Sequence, residues 1–145
     1  MKKYIIFLFL AVTPLVSGCS DPYDYVGCPE EISVTVQMAE QPVFSWEPAC
    51  SVYEFEVQTF SPSAVTIVGY DYVGRTVWSL EARDGAPVTN PAIFPPLTYS
   101  VRPDDVDQPR PAVPLERGGR YRVWVTASID FERRVVGRAE FIYTP

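Results

Sequence analysis

Residues 42–57 read PVFSWEPACSVYEFEV. Phe44 and Trp46 alternate with Ser45 and Glu47, and Tyr53, Phe55 and Val57 alternate with Glu54, Glu56 and Gln58. A period of two sends one set of side chains to a buried face and the other to water, so the stretch predicts two half-buried β-strands. Pro48 interrupts them, because proline cannot donate a hydrogen bond to a sheet ladder. Cys50 sits in the resulting turn.

Working outward toward the N-terminus, Ile32, Val34 and Val36 alternate with Ser33, Thr35 and Gln37 and predict a first strand. Residues 39–41 turn, and 42–47 form the second strand. An antiparallel hairpin of the two predicts facing positions whose numbers add to about 79, with Gln37 opposite Pro42. Cys28 and Cys50 add to 78, so the same register brings the two cysteines together as a disulfide.

Toward the C-terminus, 52–59 predicts a third strand, and 65–68 begins another that ends near Gly69. Residues 70–74 turn, after which Thr76, Trp78 and Leu80 alternate with Val77 and Ser79. The span 82–96 is a long irregular connection with an Asp84-Gly85 turn, and Ile93 and Phe94 tuck inward from it. Leu97, Tyr99 and Val101 alternate as a strand, and 103–114 is a loop rich in Pro and Asp. Residues 120–129 place Tyr121, Val123, Val125, Ala127 and Ile129 on one face, 130–134 turn, and 135–143 is the last strand. Trp46, Tyr53, Phe55, Tyr121, Val123 and Val125 form the expected core. Fifteen prolines are scattered along the chain, and no window of ten or more residues carries the apolar spacing of an amphipathic helix. The class is all-β: one antiparallel two-sheet sandwich of about seven to eight strands, with core and loops together fitting one domain.

The beginning of the chain reads as an address. Lys2 and Lys3 precede an uncharged apolar run over 4–16, which is shorter than the about 20 residues a membrane-spanning helix needs. The run closes in Leu15-Val16-Ser17-Gly18-Cys19, which resembles the lipobox of bacterial lipoproteins. The resemblance implies cleavage before Cys19, acylation of Cys19, and a membrane held through that lipid anchor. By the same analogy Ser20 implies the outer membrane. The expected layout is a signal peptide over 1–18, a lipidated cysteine and tether over 19–29, and the sandwich over 30–145.

Charge excludes several function classes. The whole chain carries −6, and losing Lys2 and Lys3 leaves −8, with ten Arg, no Lys and no His. A nucleic-acid partner needs a basic face, so none is expected. Without histidine there is no His-based acid–base chemistry, no Ser-His-Asp or Cys-His nucleophile system and little prospect of a zinc site. No cofactor is implied. Cys28 and Cys50, bound for an oxidising compartment, read as a disulfide.

The run Leu115-Glu116-Arg117-Gly118-Gly119-Arg120-Tyr121-Arg122-Val123-Trp124-Val125 resembles the fibronectin type III pattern of a leucine, a glycine turn and Tyr-x-Val-x-Val. The resemblance implies that Leu115 closes a corner between strands and that Tyr121 packs into the core with its hydroxyl bonded back to the backbone. Trp46 matches the second-strand tryptophan of that fold. The extra apolar strand around Trp78 and the Cys28–Cys50 pair depart from the family pattern. Such a fold carries no activity by itself.

Two function classes follow. One is a non-catalytic module that binds a protein or glycan, or serves an envelope complex. The other is a histidine-free enzyme relying on carboxylates or a metal. For the enzyme, Glu54 and Glu56 share one strand face, about 6.5–7 Å apart between α-carbons, as an acid pair would. The open face offers no cleft to raise either carboxyl's pKa. Asp104, Asp105 and Asp107 supply too few oxygens for a Ca²⁺ site and read as solvated loop charge. For the module, Tyr23, Tyr25, Tyr70 and Tyr72 are contact candidates in the tether and turns. The fibronectin type III arrangement makes neighbours of the third strand and the last two, which puts Glu54, Glu56, Gln58, Arg122, Trp124, Thr126, Arg138 and Glu140 outward. Trp124, with Arg122, Glu54, Glu56 and Arg138 around it, is therefore the expected binding face.

Overall fold

The computed structural model describes residues 27–60, 74–83, 93–130 and 132–145. Every regular element among them is a strand: β1 Ser33–Gln37, β2 Val43–Glu47, β3 Glu54–Thr59, β4 Thr76–Ala82, β5 Leu97–Thr98, β6 Val106–Arg110, β7 Arg120–Ile129 and β8 Glu132–Ile142. They form two antiparallel sheets, β1-β2-β5 and β6-β4-β3-β7-β8. The lipobox, Tyr23, Tyr25, Tyr70, Tyr72, the strand expected at 65–68 and the Asp84-Gly85 turn lie outside the described residues.

The inner faces meet as expected from the alternation. Phe44, Phe55, Val57, Trp78, Leu80, Val123 and Val125 are fully buried, and Trp46 and Tyr121 nearly so. Phe44 sits at the centre, its ring 5.1 Å from Phe55 and 5.8 Å from Phe141. Each such aromatic pair contributes about 0.5–1.5 kcal/mol beyond the area it buries. Trp46 satisfies its indole by donating Nε1–H to the Cys50 carbonyl at 2.9 Å, so the turn after β2 also completes the core.

The hairpin register differs by one from the expected one. Ser33 faces Glu47 and Gln37 faces Val43, so facing numbers add to 80. An odd sum sets Val34 across from Ser45, on the wrong face, because a one-residue slip inverts every side chain. The even sum matches Val34 to Trp46 and Val36 to Phe44. Cys28 and Cys50 are bonded, with α-carbons 5.1 Å apart, and both sulfurs lie in buried residues.

Other expectations are corrected. Tyr53 is not core: Val52 takes the buried place, bridging to Ile93, and the chain bends so that the Tyr53 ring turns outward under the Arg133 guanidinium. Phe94 and Val101 are half exposed. Val101 follows Ser100, whose φ of 66° ends the strand after two residues and turns the chain away. The span 103–114 is not all loop, because β6 pairs with β4 inside it. Pro109 is tolerated there because β6 is an edge strand. Finally, β8 begins at Glu132 instead of 135.

One irregularity joins the two sheets. Val125 faces Gly137 and Thr126 faces Val135, so Val136 is an extra residue in β8. The bulge turns Val136 inward, and its carbonyl accepts the Ile32 N–H at 2.8 Å. Gly137 makes the approach feasible: a Cβ there would stand 2.6 Å from Ile32 Cγ1 and 2.7 Å from Val34 Cγ2.

Candidate functional site

The outer face of the five-stranded sheet is built by register. One row runs Ser79, Glu56, Trp124, Arg138 across four strands. The row beside it runs Thr76, Gln58, Arg122, Glu140, and on the other side Glu81, Glu54, Thr126, Val135. The structure thus brings together Glu54, Glu56, Arg122, Trp124 and Arg138, as the outward phase of three strands predicts.

Trp124 is half-buried in the middle of this face. Its Nε1–H donates to Gln58 Oε1 at 3.3 Å, and the Arg122 guanidinium stands 5.3 Å from the ring centre. Arg122 lies also over Phe60 at 4.3 Å and donates both Nε and Nη2 to Glu140 Oε1, the latter at 2.7 Å. The indole is therefore held in one orientation by its neighbours. Each Arg–aromatic contact contributes on the order of 0.5–2 kcal/mol at such a partly buried site.

A second cluster ties the far end of the sheet. Arg133 covers the Tyr53 ring at 3.9 Å, donates to the Tyr53 hydroxyl, and pairs with Glu81 at 3.2 Å. Between the clusters Glu54 is partly desolvated. Its carboxyl is raised above the ordinary value, first by burial, then by Glu56 and Glu81, while Arg133 lowers it. This corrects the expectation that nothing on an open sheet raises a pKa: neighbouring side chains crowd Glu54 without any cleft. Glu56 accepts a hydrogen bond from the Thr76 hydroxyl.

Beside Trp124 the face opens into a groove of about 690 Å³, lined by Glu30, Glu31, Ile32, Trp124 and residues 135–138. It exists because the Ile32–Val136 hydrogen bond lays the segment before β1 alongside the β8 bulge. That juxtaposition joins residues about a hundred positions apart, and no local pattern announces it. Arg138 and Glu31 have no ion-pair partner among the described residues, whereas Glu30 lies 3.8 Å from Arg134.

The acidic loop resolves differently. Arg83 sits 3.6 Å from Asp105 and 3.4 Å from Asp107, which accounts for two of its charges. Among the described residues no group of three His, Cys, Asp or Glu side chains is arranged to hold a metal ion. The corner at Tyr121 has the geometry implied by the resemblance: the Glu116 N–H donates to the Tyr121 hydroxyl at 2.8 Å, and Leu115 packs against the core. A Cβ on Gly119 would stand 2.8 Å from that hydroxyl, which explains a small residue there. No protein-family model, curated protein or solved structure matches this chain.

Proposed function

We propose that this chain is a bacterial lipoprotein, anchored in the outer membrane through acylated Cys19, whose fibronectin type III-like sandwich is a non-catalytic binding or envelope-complex accessory module. The single observation that carries the binding reading is Trp124. A half-buried indole, fixed by Gln58 and Arg122 in the centre of a charged sheet face, opens onto a groove. Aromatic rings in such polar surroundings are favoured anchors of contacts. The strand order and the Tyr121 corner support the fibronectin type III-like reading. The lipobox residues support the anchor.

The second reading, a histidine-free carboxylate enzyme acting on envelope glycans, draws on one observation, the raised carboxyl of Glu54 beside Glu56. Burial and crowding by Glu56 and Glu81 explain that shift, and neither Glu54 nor Glu56 lines the groove beside Trp124. The non-catalytic reading is therefore preferred.

A photo-crosslinking residue at Arg138, compared with one at Thr35 on the opposite sheet, tests the module in native membranes. Adducts from position 138 and none from position 35 are expected, and the reverse pattern overturns the assigned face. Mass spectrometry of the membrane fraction checks the anchor. The wild type should begin at an acylated Cys19 and Cys19→Ser should not be acylated. A soluble, unacylated wild type refutes it.

A further inference from the structure

Three features carry chemistry not yet accounted for: the buried Trp78 indole N–H, which has no hydrogen-bond partner among the described residues, the shallow hollow of about 250 Å³ over Phe60 and Phe141, and the Trp124 groove. Trp78 is fully buried, with the Phe55 and Tyr99 rings edge-on at 5.5 and 5.2 Å, and it lines neither hollow. The hollow over Phe60 presents Arg120 and Glu140, of which Glu140 is already committed to Arg122.

From the groove we infer that the ligand is a neutral oligosaccharide, an inference that rests on the binding-module reading above. The lining combines three chemistries that a pyranose ring uses together. Trp124 offers a fixed aromatic surface for the apolar C–H face of a sugar, and its N–H is spent on Gln58, so the ring contributes area and not a donor. Glu31 offers a carboxylate to accept from hydroxyls, and Arg138 a guanidinium to donate to them. Both lack an ion-pair partner among the described residues, so their hydrogen-bonding capacity is turned to solvent. Val135, about half exposed on the same wall, extends the apolar strip beside Trp124.

Charge selects the class of sugar. Glu30 and Glu31 line the groove together with Arg138, and Arg134 is shared between Glu132 at 2.7 Å and Glu30 at 3.8 Å, so the groove carries a small negative excess. A polyanionic glycan meets two carboxylates and gains one free guanidinium, which offers no net attraction. A protein occupant would be expected to bury a larger apolar area than one indole and one valine supply. The groove is shallow and open, so binding of a short saccharide is weak and depends on stacking plus a few charge-assisted hydrogen bonds.

The experiment follows the three indole N–H resonances of the ¹⁵N-labelled full chain in detergent micelles, with Trp124 assigned through Trp124→Phe. The probes are tetra-N-acetylchitotetraose, cellotetraose and maltotetraose, with tetragalacturonate as the anionic counterpart. At least one neutral tetrasaccharide should move the Trp124 signal and leave Trp46 and Trp78 in place. Trp124→Ala, followed through the backbone amides of 135–138 that line the same groove, should weaken that binding roughly thirtyfold. Glu31→Gln and Arg138→Gln, both exposed and safe for folding, should each weaken it about tenfold. No movement of Trp124 with any neutral sugar up to about 20 mM overturns the inference, since even weak stacking sites fill at that level. Tighter binding of tetragalacturonate overturns the neutral class, and binding indifferent to Glu31→Gln and Arg138→Gln overturns the site. Silent sugars with a protein adduct from position 138 in membranes leave the module reading standing and remove only the saccharide. Silent sugars with no adduct remove both.

Discussion

The two sheets share one core and present opposite kinds of outer surface. On the three-stranded sheet the outward positions are Ser33, Thr35, Gln37, Val43, Ser45, Glu47 and Thr98, with one charge among them. On the five-stranded sheet Glu54, Glu56, Glu81, Arg122, Arg133, Arg138 and Glu140 surround Trp124. The inner demands on both sheets are the same, apolar residues at every second position. The outer faces are free to differ, and only one has been elaborated with paired charges and a fixed aromatic ring. That asymmetry, not the fold, is where a function is to be sought.

The largest test asks whether the sheets are separable. Trp46→Ala removes an indole that packs at the interface and holds the Cys50 carbonyl, and should cost about 3–5 kcal/mol in urea unfolding. Because the core is common, hydrogen exchange should weaken in both sheets together. Weakening confined to β1, β2 and β5 would show two cores and break the comparison.

Next in size is the corner under β7. Tyr121→Phe leaves the Glu116 N–H without its acceptor and should cost about 1–2 kcal/mol. A loss as small as that of an ordinary surface substitution would mean water replaces the hydroxyl there.

A pH series sharpens the electrostatic half of the contrast. Glu54 is raised in the folded state, so folding favours its protonated form. Its contribution is neutral below the ordinary carboxylate value, where both states are protonated. It becomes unfavourable as pH rises through the ordinary value to the raised one, and stays so above it. Glu54→Gln should therefore be more stable than the wild type at pH 7 and equal to it in acid. A wild type favoured at pH 7 would reverse the sign assigned to this carboxyl.

The smallest expected effect compares one pair with none. A double-mutant cycle on Arg122 and Glu140 should return about 0.2–1 kcal/mol and shrink with salt. Thr35→Ala on the plain face should stay within about 0.5 kcal/mol and ignore salt. Equal salt dependence at both sites would erase the distinction.

What was legible from residue order follows the same division. The β7 bounds and its buried face are readable because ten residues keep one period with polar residues between them. The outward placement of Trp124, Glu54 and Glu56 follows from the same phase. Tyr53, Phe94 and Val101 failed where the phase is reset, at a bend, at a bridge by Ile93 and at the left-handed Ser100, each fixed by tertiary contacts. The β6 strand was hidden because Pro109 reads as a breaker unless the strand is known to lie at an edge. The hairpin register turned on a parity that counting turn residues does not reveal. The groove was illegible for a different reason, since it is made by a contact between Ile32 and Val136 across nearly the whole domain.

The Cys28–Cys50 bond also decides where the domain feels a pull. Tension on the chain ahead of Cys28 passes through the sulfurs to Cys50, across a sequence separation of 22 residues, without loading β1 or β2. It arrives instead at Val52 and β3, the central strand flanked by β4 and β7. Without the bond, the same force would peel β1 from β2 one residue pair at a time. With it, the load enters at a strand held by two neighbours, so reduction alone moves the point of attachment from an edge strand to the middle of the larger sheet.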